Sequence, residues 1–296
     1  SFTNPHKPYH VPPAHLHSFD ALPPPGLTGT RSDQIGPNEY RANRREPRFD
    51  PYYFAMLEAL DMEVERLVDT LQKESDRPFI FVFLGDNGSA AEVFAAIDTE
   101  AVRSKATLYD GGVRVPLMIW SAPEDDELVS SRRSDRLVHL ADLFPTLGEL
   151  SGVDPRYGLD PEAPLDGMSF LSEVTGSHAG QVERAYAFFE RGNDEVLPFA
   201  YGAVDQQGLK LILRDPERET NYSAGQLIEI YETDADPLAQ RNLLETPCSM
   251  PTARVADLFE FIVTKADQNE AHSDWFDAER YMDILTLAQQ VCTEIN

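Results

Sequence analysis

Two cysteines and five lysines are all that the 296 residues hold of either type. Cys248 and Cys292 cannot build a disulfide framework or a four-cysteine zinc site. With lysine so scarce, arginine supplies 20 of the 25 basic residues, and these face 51 acidic ones for a formal charge of -26. Such a field repels phosphate backbones and anionic headgroups, so neither nucleic acid nor a membrane surface is expected as a partner. Long apolar runs are missing too, since no stretch approaches the roughly 20 residues that cross a bilayer. The opening Ser1-Phe2-Thr3-Asn4-Pro5-His6 lacks a methionine, a basic flank and an apolar stretch, and does not read as a signal peptide. Few lysines and many carboxylates together resemble the surfaces of salt-adapted proteins.

What the chain does have is 42% hydrophobic residues, enough for one large or two small cores. Residues 1 to 50 are crowded with proline, including Pro23-Pro24-Pro25, which removes backbone donors and predicts an extended surface segment. Tyr53, Leu57, Leu60, Val64, Leu67, Val68 and Leu71 recur at three-and-four spacing and predict one amphipathic helix. Phe79-Ile80-Phe81-Val82-Phe83-Leu84 follows, closed by Gly85-Asp86-Asn87-Gly88, the pattern of a strand buried on both faces. A second apolar run covers Val115 to Trp120, and a helix is expected from about Asp142 with Pro145 in its first turn. Beyond about residue 190, Leu209 to Leu213 and Leu227 to Tyr231 alternate like antiparallel strands. Thr252 to Thr293 reads as mostly helical, with Val255, Leu258, Phe259 and Ile262 on one face. No internal repeat is present.

Three places could carry chemistry. Asp86-Asn87 ends a strand, where open α/β sheets place ligands, and a carboxylate beside an amide oxygen suits a hard cation such as Ca²⁺ or Mg²⁺. The same residues are also excellent turn formers that need no metal. Ser104-Lys105-Ala106-Thr107-Leu108-Tyr109-Asp110-Gly111-Gly112-Val113-Arg114 holds a lysine, an arginine and two glycines that let backbone approach closely. Lys105 is a candidate oxyanion clamp there, against the ordinary alternative of a solvated surface lysine. Pro5-His6-Lys7-Pro8 pins a histidine between prolines, and the histidines at 6, 10, 15 and 17 have no spacing that suits zinc.

These segments in this order resemble the sulfatase family of the alkaline-phosphatase-like superfamily. The resemblance rests on Pro5-His6-x-Pro8, on Tyr53-x-Ala55 and Leu60-Asp61 in the helix, and on Gly85-Asp86-Asn87-Gly88. Lys105-x3-Tyr109-Asp110-Gly111-Gly112-x-Arg114-Val115-Pro116 continues it. Asp142-Leu143-Phe144-Pro145-Thr146-Leu147, Asp166-Gly167-x-Ser169-Phe170 and Ile230-Tyr231-Glu232-x3-Asp236-Pro237-x3-Arg241-Asn242-Leu243 extend it over most of the chain.

The resemblance implies an α/β fold with part of a sulfatase-type sheet sandwiched by helices. Residues 1–190 would be the C-terminal portion of the catalytic domain, and residues 191–296 a small subdomain of antiparallel sheet and helix. It implies that Asp86 and Asn87 are ligands of one divalent cation, usually Ca²⁺, that Lys105 and His6 contact sulfate ester oxygens, and that Arg114 is structural. The substrate class would be a sulfated small molecule or glycan. Sulfatases attack sulfur with a hydrated formylglycine made from Cys or Ser in a C-x-P-x-R type motif, and this sequence departs from the family there. Cys248-Ser249-Met250-Pro251-Thr252-Ala253-Arg254 puts its proline three and its arginine six residues after the cysteine, where the motif needs two and four. Nothing before Asp86 resembles the family's paired aspartates. The expectation is a sulfatase whose N-terminal segment is missing here or comes from another polypeptide, so that this chain alone is inactive and its metal site incomplete. The alternatives are a non-catalytic sulfatase-like remnant that binds an anionic ligand, and a phosphonate or phosphodiester hydrolase of the same superfamily.

Overall fold

The computed structural model describes residues 5, 13–18, 50–90, 103–122, 128, 132–160, 162–177, 182–193, 196–214, 227–268 and 278–295. The chain divides into two compact units, one of residues 1–105 and 115–125, the other of residues 106–114 and 126–296.

In the first unit, helix α1 (Asp50–Glu74) takes Pro51 in its first turn, where a missing N–H costs nothing. Its buried positions are Ala55, Met56, Ala59 and Leu60, while Leu67 is exposed and the other predicted face residues are half-covered. The periodicity located the helix, but small alanines that allow close approach decide which side is buried. Strand β1 (Phe79–Leu84) pairs antiparallel with β2 (Leu117–Ala122) in the register Phe79↔Ala122, Phe81↔Trp120 and Phe83↔Met118. Phe81 and Trp120 stack across the pair at 5.1 Å. The strand expected to be buried on both faces therefore has one described neighbour, and Ile80 and Met118 are 43% and 53% exposed. The pairing is antiparallel, and beyond the Leu84↔Leu117 pair the Gly85 amide donates to the Pro116 carbonyl at 3.1 Å.

The second unit holds the short helix α2 (Asp110–Val113), α3 (Leu143–Leu150) entered through a 3-10 turn (Leu140–Asp142), and α4 (Leu171–Thr175). A four-stranded antiparallel sheet follows, β3 (Tyr186–Asn193), β4 (Val196–Asp205), β5 (Leu209–Arg214) and β6 (Ile228–Glu232), in sequential order. Helices α5 (Thr252–Gln268) and α6 (Ala278–Ile295) complete it. The boundary expected near residue 190 falls inside β3, since the sheet begins at Tyr186.

Alternation along the strands sorts the sheet's two faces. Leu209, Leu211, Leu213, Ile228 and Ile230 meet Val255, Leu258, Phe259 and Ile262 of α5 and Tyr281 and Leu285 of α6. The opposite face carries Ala200, Ile212 and Tyr231 under Leu108 and Tyr109. Every residue of β5 is buried as a result.

Asp142 explains why two separated landmarks occur together. Its carboxylate accepts from the amides of His139 and Met168, both at 2.8 Å, and from Nε of Arg184 at 2.9 Å, and it pairs with the Arg184 Nη2 as well. Thr146 Oγ1 donates to the Asp142 carbonyl at 2.6 Å and accepts from the Phe170 amide at 3.0 Å. Gly167 lies so close to α3 that a Cβ there would overlap the Ala141 carbonyl oxygen and stand 2.9 Å from Pro145 Cδ.

Candidate functional site

The site is built where β1 ends. A Cβ on Gly85 would lie 3.3 Å from both Val115 Cβ and Pro116 Cδ, so the turn is pressed against the approach to β2. Asp86 and Asn87 follow in that turn with exposed side chains. Three residues past Asp86, the Ser89 carbonyl accepts the Lys105 amide at 2.8 Å. Three residues of extended chain reach about 11 Å at most, so this bond keeps the Lys105 backbone in the neighbourhood of the turn. The Lys105 side chain is exposed. The structure thus holds Asp86, Asn87 and the Lys105 backbone near one strand end, while His6 lies outside the described residues.

Immediately after Lys105 the backbone is strained, since Ala106 has φ +66. Residues with a Cβ avoid this left-handed conformation, and surrounding structure must hold it in place. Ser104, Thr107, Leu108 and Tyr109 are buried around it. The two glycines predicted for close approach sit in α2, and Gly112 is buried there. Arg114 is exposed and lies 3.4 Å from Asp110 and 4.0 Å from Asp234, contacts of small energetic value.

As cation ligands, Asp86 and Asn87 offer oxygen donors of the right kind, but Ca²⁺ takes six to eight. Among the described residues no group of three or more His, Cys, Asp or Glu side chains is gathered for a metal. Cys248 falls in a 3-10 turn (Pro247–Ser249) of the second unit, beyond β6.

Sequence reasoning missed the charged residues that β5 and β6 bury beneath the 106–114 segment. Lys210, Arg214 and Glu229 are each 2% exposed or less. Lys210 donates to the Leu108 carbonyl at 3.2 Å and pairs with Asp110, while burial pushes its amine below the usual lysine range against the pull of that carboxylate. Arg214 donates to Glu229 Oε2 at 3.0 Å, and the Tyr109 hydroxyl donates to the same oxygen at 2.7 Å. Burial drives the Tyr109 hydroxyl far above its ordinary value, so it remains a protonated donor. A hint of this lay in Leu-Lys-Leu-Ile-Leu-Arg, where two cations recur at i and i+4 in an otherwise apolar strand.

The family model described as Sulfatase matches residues 1–153, just over half of the chain. None of the curated proteins matches. One similar solved structure is from Bacteroides thetaiotaomicron and concerns its metabolism of multiple glycosaminoglycans. It is 16% identical with a TM-score of 0.61, over 95% of this chain and 55% of that one. A second, in complex with its substrate D-glucosamine-2-N,6-O-disulfate, is 20% identical with a TM-score of 0.55, over 82% and 47%. A third, in complex with k-i-k-neocarrahexaose, is 19% identical with a TM-score of 0.52, over 85% and 51%. At these identities the likeness is one of fold, and the chain spans about half the length of the structures it matches.

Proposed function

The chain belongs to the sulfatase family, and from that premise we propose that it forms part of a metal-dependent hydrolase of sulfate esters. In this reading Asp86 and Asn87 are cation ligands, and Lys105 and His6 meet the sulfate oxygens. The residues before about 190 would serve the catalytic domain, and the sheet that begins with β3 at Tyr186, with its helices, the small subdomain. The observation that supports it best is the bond from the Lys105 amide to the Ser89 carbonyl, which holds the Lys105 backbone near the strand end that carries Asp86 and Asn87.

When bound, a divalent cation, Ca²⁺ or Mg²⁺, supplies positive charge beside the sulfate oxygens. The carboxylate of Asp86 and the amide oxygen of Asn87 suit either ion as hard donors. Lys105 places an ammonium against a sulfate oxygen, and His6 gives a proton to the departing oxygen. The formylglycine nucleophile would come from a C-x-P-x-R type segment, which this sequence does not contain. Two of the similar structures hold sugars, one of them a disulfated glucosamine, and that favours a sulfated glycan as substrate over a small aryl or alkyl sulfate.

A 6-O-sulfated glucosamine tests the reading. This chain alone, with or without Ca²⁺, should stay at background and bind Ca²⁺ no more tightly than about the millimolar range of weak extracellular modules. Combined with a polypeptide that carries the C-x-P-x-R segment and paired aspartates, it should hydrolyse the ester, and Lys105→Met should then lower kcat about 100- to 1000-fold. Turnover by the chain alone at verified mass, formylglycine at Cys248, or full activity in Lys105→Met would each overturn it.

A further inference from the structure

Everything that β5 and β6 bury in the way of charge points at one nine-residue segment. Lys210 meets the Leu108 carbonyl and the Asp110 carboxylate, and its ammonium stands 5.3 Å over the Phe189 ring. Glu229 receives Arg214 and the Tyr109 hydroxyl, and the Arg214 guanidinium lies 5.2 Å from the centre of the Tyr109 ring. Two cations thus balance two carboxylates. Apolar residues of similar volume would fill this space at equal or lower cost, because desolvating an ion pair consumes much of its attraction. What apolar packing cannot do is fix direction. The Leu108 carbonyl, the Asp110 carboxylate and the Tyr109 hydroxyl each have a defined partner here, so the segment has one register on the sheet. It also contains Ala106, held in a conformation that an alanine leaves when it is free to do so.

We propose that Lys210, Arg214 and Glu229 are positioning residues whose buried ion pairs hold 106–114 in one conformation, Ala106 included, and so determine how the backbone presents Lys105. The inference rests on the reading of Lys105 as a sulfate-contacting group.

Amide hydrogen exchange in the full chain tests it. The readouts are Lys105, whose amide bonds Ser89, and Gly112 and Arg114, whose amides bond Tyr109 and Asp110 at 2.8 and 2.9 Å. Leu211 and Ile230, buried in the sheet, are the internal reference. In Lys210→Met, exchange at the three amides should rise at least about 10-fold more than at the reference pair. Should that variant fail to fold, Asp110→Asn keeps the shape and an acceptor oxygen while removing the charge, and the same excess is expected. The double variant Asp110→Leu with Lys210→Met removes both charges together, and the excess should persist in it. A merely structural pair predicts that the three amides follow the reference in every variant, and that result, or loss of the excess in the double variant, overturns the proposal. Undiminished activity in Lys105→Met would break the link to sulfate without altering the exchange, so the two failures are distinguishable.

Discussion

Replacing Asp142 by asparagine changes one atom and strands several partners. One carboxylate oxygen accepts from the Met168 amide and the Arg184 Nη2, the other from the His139 amide and the Arg184 Nε. Asparagine keeps one acceptor oxygen and turns an NH₂ toward the other two donors. Each buried donor left without a partner costs about 1–3 kcal/mol. Arg184, whose side chain is 12% exposed, loses its counter-charge, and breaking a buried pair in this way costs about 3–5 kcal/mol in all. For a unit of this size that is a fall in Tm on the order of 10 °C. Denaturant unfolding followed by circular dichroism should show the loss, while Asp160→Asn, at an exposed turn, should stay within about 0.5 kcal/mol. If Asp142→Asn also stays within that margin, Asp142 is not what joins α3 to the 166–170 turn.

Gly167→Ala should cost about 1–3 kcal/mol, because the new methyl meets backbone at Ala141 that cannot rotate away, and an unchanged midpoint of unfolding would refute that close approach. Burial and the nearby Arg184 guanidinium lower the pKa of His139, and Asp142 and Asp166 oppose them. As pH falls through about 6.5 the unfolded chain takes up the proton before the folded one. Stability tied to His139 is therefore complete above that pH and lost below it, down to the folded value. His139→Asn, which retains an N-cap acceptor, should lose less stability than the wild type between pH 7.5 and 5.5, and equal losses would count against this. With a charge of -26, Tm should rise between 0.01 M and 1 M NaCl as the Debye length falls from about 30 Å to about 3 Å, and a flat or falling Tm would remove salt adaptation as the cause of the acidity.

Period and punctuation made the elements readable. The helix predicted through Tyr53 to Leu71 occupies Asp50–Glu74, and Val255, Leu258, Phe259 and Ile262 are buried on α5 as their spacing requires. What a face packs against was not readable. Phe79 to Leu84 has the composition of a strand covered on both sides, yet its described neighbour is β2 alone, because composition records tolerance for burial and not the partner. β5 misled in the opposite sense. Leu-Lys-Leu-Ile-Leu-Arg alternates like a strand with one wet face, but the cover over that face comes from residues about a hundred positions earlier, a pairing that no local window contains. Only the ordered resemblance nominated the candidate site, since Asp86 and Asn87 alone are a good turn and Lys105 alone is one of five lysines.

The β1–β2 ribbon bears on self-association as well as on the site. Directly opposed residues share a side, so Phe79, Phe81, Phe83, Met118 and Trp120 line one surface and Ile80, Val82, Leu84, Leu117 and Ile119 the other. Ile80 and Leu84 are exposed on one surface and Met118 on the other, so each surface of the ribbon offers apolar side chains to another molecule. At low ionic strength, mutual repulsion between molecules of charge -26 keeps two such surfaces apart. Salt strong enough to relieve repulsion inside one molecule relieves it between molecules as well. Salt that raises the melting temperature should therefore also turn concentrated solutions cloudy, and light scattering that stays flat up to 1 M NaCl would refute this.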